Sequence, residues 1–99
     1  MEKFSVAIQV LPAAKDQDDM LRIVDHVISY IGSFGVHYVV TPFETVIEGD
    51  FDTLMKIVAT FQQEAIKAGA KSTLSYLKMN YCPDDGILSI DEKTGKYSK

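Results

Sequence analysis

Thr45 and Glu48 are the residues best suited to chemistry, because they interrupt a segment, residues 44–49, that otherwise has the composition of a buried strand. A carboxylate that loses its water without gaining a partner is strongly destabilising. Glu48 therefore requires either a lysine or the amides of the next helix beside it, or a cationic or protonated heterocycle held by charge-assisted hydrogen bonds. The sequence leaves both alternatives open.

Gln9 and Tyr38 join Thr45 and Glu48 as pocket candidates, because they lie on neighbouring predicted strands. Side chains alternate along a strand, so Thr45 and Glu48 should fall on opposite faces unless a bulge near Gly49 brings them together. Glu44 is predicted to be a solvated turn residue. Several aromatic residues could form a wall for a flat ligand or simply pack in a core or interface; they are Tyr30, Phe34, Tyr38, Phe43, Tyr76 and Tyr81.

The sequence lacks the common patterns of catalytic and metal sites. It contains no G-x-S-x-G, H-E-x-x-H or phosphate-binding glycine motif. His26 and His37 have no histidine or cysteine at metal-ligand spacing. Cys82 is the single cysteine, and no base can be identified for it. We therefore predict no catalytic residue, no metal, no cofactor and no enzymatic activity.

Composition predicts a single globular domain over residues 1–99, with 46% hydrophobic and 24% charged residues. The net charge of −4 and the single arginine, Arg22, argue against nucleic acid and against a phosphate-binding surface. No apolar run approaches the roughly 18 residues of a membrane span. The predicted location is the cytoplasm, without nucleic-acid or membrane partners.

Hydrophobic periodicity predicts four strands and two helices. Strands are expected at residues 3–11, 36–41, 44–49 and 71–80, with helices capped by Asp16 and Asp50 and ended by Gly35 and Gly69. The two caps lie 34 residues apart (50 − 16), as do the two glycines (69 − 35). This order predicts an α+β, ferredoxin-like βαββαβ sandwich: an antiparallel four-stranded sheet, first and third strands central, with two helices on one face.

Residues 81–99 form a predicted C-terminal extension, with Ser89 or Asp91 capping one or two helical turns that Gly95 ends.

The second face of the sheet should also be covered, because the second and third strands carry apolar residues on both faces. Another copy of the chain is the expected cover, which predicts a homo-oligomer.

The sequence also resembles the YkoF-like thiamine-binding protein family over nearly its whole length. The likeness is carried by residues 7–12, 39–55 and 87–93, and its most specific part is Thr45-x-x-Glu48-Gly49. The resemblance implies a dimer or tetramer that binds thiamine or its hydroxymethylpyrimidine moiety as a ligand rather than a cofactor, with Thr45 and Glu48 in the pocket.

Two functions follow as hypotheses. The first is a non-enzymatic carrier or sensor that binds thiamine or its pyrimidine at a subunit interface. The second is an oligomeric protein-interaction or regulatory module that has no small-molecule ligand, in which Glu48 is structural.

Overall fold

The structure, a computed structural model, describes residues 2–97. Four strands form one sheet: β1 (Phe4–Pro12), β2 (His37–Val40), β3 (Thr45–Gly49) and β4 (Thr73–Tyr81). The helices are α1 (Gln17–Gly32), α2 (Phe51–Lys67) and the short α3 (Ile90–Thr94), which continues into a 3-10 turn (Gly95–Tyr97). The strand order is β2-β3-β1-β4, with every pair antiparallel. The predicted ferredoxin-like fold, with the first and third strands central, is confirmed.

The two long helices begin at the predicted caps. The carboxylate of Asp16 accepts a hydrogen bond from the backbone N–H of Asp19 at 2.8 Å, and that of Asp50 from the N–H of Thr53 at 2.9 Å. These bonds satisfy amides that have no partner within the helix. Gly69, beyond the end of α2, has a φ of 116°. Residues with a side chain rarely adopt this angle, so glycine at this position allows the chain to turn towards β4.

The core lies between one face of the sheet and the two long helices. Phe4, Val6 and Ile8 of β1 are buried there, which confirms their predicted alternation. Full burial of each such side chain stabilises the fold by about 1.5–3 kcal/mol. The helices and β3 contribute the rest of this buried set: Ile23, Val27, Ile31, Ile47, Leu54, Ile57, Phe61 and Ala65.

The C-terminal extension turns back across the start of β1. The backbone of Ile87 pairs with that of Glu2 in both directions, at 3.1 and 2.6 Å, and the side chain of Ile87 is buried. Ser89 then caps α3 in a capping box with Glu92, and Gly95 follows as the C-terminal cap, both as predicted. The extension thereby places α3 beside the sheet.

Within residues 2–97, no helix is long and apolar enough to cross a membrane.

Candidate ligand-binding site

The strand register places Thr45 and Glu48 on opposite faces of the sheet. Thr45 pairs with Ile8 and faces the helices, whereas Glu48 pairs with Ser5 and faces away from them. The pairing runs through to Gly49 opposite Phe4 without an inserted residue, so no bulge brings the two side chains together. Both are buried, with 6% of Thr45 and 5% of Glu48 exposed.

Tyr38 and Gln9 are divided between the same two faces. Tyr38 pairs with Ile47 on the helix face, and its hydroxyl lies 3.1 Å from where a Cβ on Gly32 would be, at the end of α1. Gln9 pairs with Tyr76 on the face without helices, which we call the open face. Gln9 and Ser5, the partner of Glu48, are four positions apart on β1, about 13 Å. Thr45 and Gln9 both line the groove described next, whereas Tyr38 and Glu48 do not. The four predicted residues therefore do not all share one pocket within a single chain.

Thr45 lines a groove between α1 and the β2–β3 hairpin, with a cavity volume of about 260 Å³. Its hydroxyl forms no hydrogen bond within the part of the chain that the structure describes. The remaining walls are mostly apolar, and the residues that form them include Ile8, Val10, Val24, Val27, Ile28 and Ile31. The groove therefore offers an apolar slot with one free donor and acceptor at its base.

Large apolar side chains at the rim of this groove are exposed to solvent. Phe43, at the tip of the β2–β3 hairpin, is 77% exposed. The other rim residues with large exposed apolar side chains are Leu11, Met20, Leu21 and Val40. A contiguous exposed apolar surface of this kind marks a place where a ligand or another protein binds.

The hairpin tip is held by Thr41. Its hydroxyl oxygen accepts from the N–H of Phe43 at 3.3 Å and of Glu44 at 3.0 Å, and the hydroxyl donates to the carbonyl of Glu44 at 2.9 Å. The ring of Pro42 restricts the φ angle of Pro42 itself. Phe43 therefore lies on a turn that the hydrogen bonds of the Thr41 side chain stabilise. Thr41 was not among the predicted site residues, although a threonine followed by proline is a local turn signal that could have pointed to it.

Glu44 also contributes to the lining of the groove and is only partly exposed. Its carboxylate accepts from the ammonium group of Lys78, with the nearest contact at 3.2 Å. Glu44 was predicted to be a solvated turn residue, and its partial burial and ion pair correct that prediction. No local pattern could show this ion pair, because Lys78 lies on β4, 34 residues away.

Glu48 fastens the C-terminal extension to the open face. Its Oε2 accepts from the backbone N–H of Ile90, the first residue of α3, at 2.7 Å. Nε2 of His37 lies 4.0 Å from Oε1 of Glu48 and 3.8 Å from a carboxylate oxygen of Asp91. The sequence offered the amides of the next helix, α2, as a partner for Glu48, whereas the amide that it contacts belongs to α3.

The other titratable groups make surface pairs. Nε2 of His26 lies 3.1 Å from Glu64 Oε1, and Lys67 donates to Glu64 Oε2 at 3.0 Å, so α1 and α2 are joined at their outer surface. Both hydrogen bonds lower the pKa of Glu64, and the bond from Lys67 has the larger effect. No group of three or more His, Cys, Asp or Glu side chains suited to a metal ion occurs among the described residues.

The family described as "Thiamine-binding protein" matches residues 6–98 of this chain. A UPF0045 protein from Clostridium perfringens is 40% identical over 97 residues, which is 98% of this chain and 99% of that protein. A Bacillus cereus domain of unknown function, DUF77, is 35% identical with a TM-score of 0.86, covering 99% of this chain and 92% of that chain. A candidate thiamine biosynthesis/salvage protein from Thermotoga maritima is 33% identical with a TM-score of 0.84, covering 97% and 99%. The chain belongs to the thiamine-binding protein family.

Proposed function

We propose that this protein binds thiamine, or its hydroxymethylpyrimidine moiety, in the groove between α1 and the β2–β3 hairpin, and that it releases the ligand unchanged as a carrier or sensor. The observation that carries the proposal is the unpartnered hydroxyl of Thr45 at the base of an apolar groove. The family match and the Thermotoga maritima relative support the choice of thiamine.

The chemistry of the groove suits an aminopyrimidine. The ring presents an exocyclic amine that donates and ring nitrogens that accept, and the hydroxyl of Thr45 can both donate and accept. The apolar walls fit the flat ring, and Phe43 at the rim can stack on an aromatic ligand. The volume of about 260 Å³ lies just below the roughly 300–1,000 Å³ usual for drug-sized ligands. It therefore favours the pyrimidine inside the groove, with the rest of thiamine at the rim.

The cationic thiazolium ring of thiamine would then lie near Glu44. This carboxylate is partly exposed and already paired with Lys78 at 3.2 Å, so a second cation can compete for it at the groove. Glu48 faces the other side of the sheet, and its carboxylate is bonded to Ile90. Under this proposal Glu48 holds the C-terminal extension and contacts no ligand while α3 is in place.

A second copy of the chain on the open face would complete the pocket. Tyr76 and Leu74 on this face are 59% and 58% exposed, next to Gln9 and Leu11. Gln9 and Leu11 also line the groove, so the apolar open face is continuous with its rim. We therefore propose a homo-oligomer in which the partner approaches the ligand from this side.

Isothermal titration of the purified protein with thiamine and with hydroxymethylpyrimidine tests the proposal. Thr45→Val keeps the shape of the side chain and removes the hydroxyl, and should weaken pyrimidine binding about tenfold. Thr73→Val is the matched control, because it removes the same group from a residue outside the groove, where the hydroxyl of Thr73 is buried without a partner in residues 2–97. The control should bind like the wild type.

Saturable binding near one ligand per chain, weakened only by Thr45→Val, supports the groove as the site. The second hypothesis is an interaction module without a small-molecule ligand, favoured by the exposed open face. The oligomeric mass of the protein is checked first. If neither ligand then gives binding heat or a thermal shift, the interaction module replaces the thiamine carrier or sensor as the working hypothesis.

A further inference from the structure

A depression beside the first turn of α1 brings three cationic side chains together. Lys15, Arg22 and Lys71 line it, together with Asp19 and Gly69, and its volume is about 500 Å³. These three side chains are among only ten lysines and arginines in a chain of net charge −4. That net charge averages over the whole chain and predicts no phosphate-binding surface, but the lining of this depression carries three cationic side chains against one carboxylate.

Tertiary contacts bring the cations together from distant segments. The N–H of Ala13 donates to the carbonyl of Ser72 at 2.9 Å, so the β1–α1 and α2–β4 connections lie side by side. Lys15 and Lys71 belong to these two connections, and Arg22 reaches the same depression from α1. Short-range sequence patterns contain no sign of this arrangement.

Arg22 pairs with Asp19 and passes close to Gly69, while 58% of its side chain stays exposed to solvent. Its Nη2 donates to Oδ1 of Asp19 at 2.6 Å, and a Cβ on Gly69 would lie only 3.2 Å from the same nitrogen. The bond to Arg22, followed by that from the N–H of Lys15, lowers the pKa of Asp19. The negative charge of Asp19 is therefore already engaged, and the guanidinium group keeps further N–H donors in a planar fork that suits phosphate oxygens.

We propose that this depression binds the phosphate or pyrophosphate group of a small molecule. Arg22 supplies guanidinium N–H donors, and Lys15 and Lys71 supply further positive charge. The acidic first turn of α1, with Asp16 and Asp18, borders the depression, so the positive surface is small and suits a compact oxyanion rather than a polyanion.

This site is separate from the groove of the proposed function. Asp19 and Arg22 line the depression, whereas the intervening Met20 and Leu21 of α1 line the groove. The two sites therefore lie on different sides of the same helical turn, and binding at one does not require the other. Inorganic probes without a pyrimidine test the depression independently of thiamine binding.

Titration with inorganic pyrophosphate and with glycerol phosphate, followed by proton–nitrogen NMR at constant ionic strength, is the direct test. We expect saturable shifts of the backbone amides of Lys15, Gly69 and Lys71. Binding of pyrophosphate alone would indicate the free anion or a diphosphate, and binding of glycerol phosphate a monoester. Arg22→Gln should weaken binding about tenfold or more, because it removes charge-assisted hydrogen bonds.

Lys67→Gln is the matched control, because Lys67 is an equally charged residue that bonds to Glu64 and does not line the depression. It should leave the affinity unchanged. If Arg22→Gln perturbs the fold, Lys71→Gln tests the same site from an exposed side chain. The proposal would be overturned if chloride reproduced the shifts, or if no probe produced any. It would also be overturned if Lys67→Gln reduced the shifts as much as Arg22→Gln and Lys71→Gln do.

Discussion

Replacing Glu48 separates its structural role from a role in ligand binding. Its Oε2 accepts the hydrogen bond of the Ile90 amide at 2.7 Å, and only 5% of the residue is exposed. Glu48→Ala leaves that amide without its acceptor. Glu48→Gln keeps an oxygen acceptor of nearly the same shape and removes the charge. The two variants therefore divide the interaction into its hydrogen bond and its charge.

The expected magnitudes follow from the type of bond. A hydrogen bond to a charged group contributes about 1.5–3 kcal/mol, and one between neutral groups about 0.5–1.5 kcal/mol. Docking of α3 should therefore weaken by about 1 kcal/mol in Glu48→Gln and by about 2 kcal/mol in Glu48→Ala. Each 1.4 kcal/mol corresponds to a tenfold change in the equilibrium of local opening.

Amide hydrogen exchange at Ile90 measures this opening directly. Protection should fall in the order wild type, Glu48→Gln, Glu48→Ala, with a loss of about tenfold or more for Ala. Glu44→Ala is the control, because it removes a carboxylate whose partner is Lys78 rather than the extension. Unchanged protection at Ile90 in Glu48→Ala would refute the assigned contact.

The same variants test where thiamine binds. Because Glu48 and the groove lie on opposite faces of the sheet, Glu48→Gln should leave thiamine affinity within about twofold of the wild type, well under the tenfold that 1.4 kcal/mol would produce. A large loss of affinity, with Ile90 still protected, would place the ligand at Glu48 and contradict the proposed groove.

Three further outcomes can be measured on the fold and assembly. The bonds from Lys67 and His26 lower the pKa of Glu64 below its ordinary value of 4.5, so its contribution to stability is present above that value and is lost as the pH falls through the folded pKa. Glu64→Gln should therefore make the free energy of unfolding fall less steeply as the pH is lowered, as measured by urea unfolding at about pH 3–6, around the ordinary pKa. An unchanged dependence of the unfolding free energy on pH would contradict this. Tyr76→Glu should dissociate the proposed oligomer in analytical ultracentrifugation without lowering the helical circular dichroism signal; an unchanged mass would exclude the open face as the interface. Phe61→Ala should lower the free energy of unfolding by about 3–5 kcal/mol, because Phe61 is fully buried; a loss under about 1 kcal/mol would contradict its place in the core.

The candidate site was predictable only in part. The Thr45-x-x-Glu48 pattern indicated two polar residues in a buried strand, and both are buried. Strand alternation already implied that they face apart, and the uninterrupted pairing with β1 agrees. The pairing of Glu44 with Lys78 and the close approach of Arg22 to Gly69 could not be predicted, because each depends on segments distant in sequence.

The sequence by itself determined the elements and the fold class. Helix caps such as Asp16 and Asp50, and the alternation of Phe4, Val6 and Ile8, act over a few residues, so local hydrogen bonding and hydrophobic periodicity were sufficient to predict them. Only the tertiary structure decided the partner of Glu48, the residues that share a groove with Thr45, and the meeting of Lys15 with Lys71. These depend on register and on how connections pack, and contacts between segments distant in sequence leave no local periodicity in the chain.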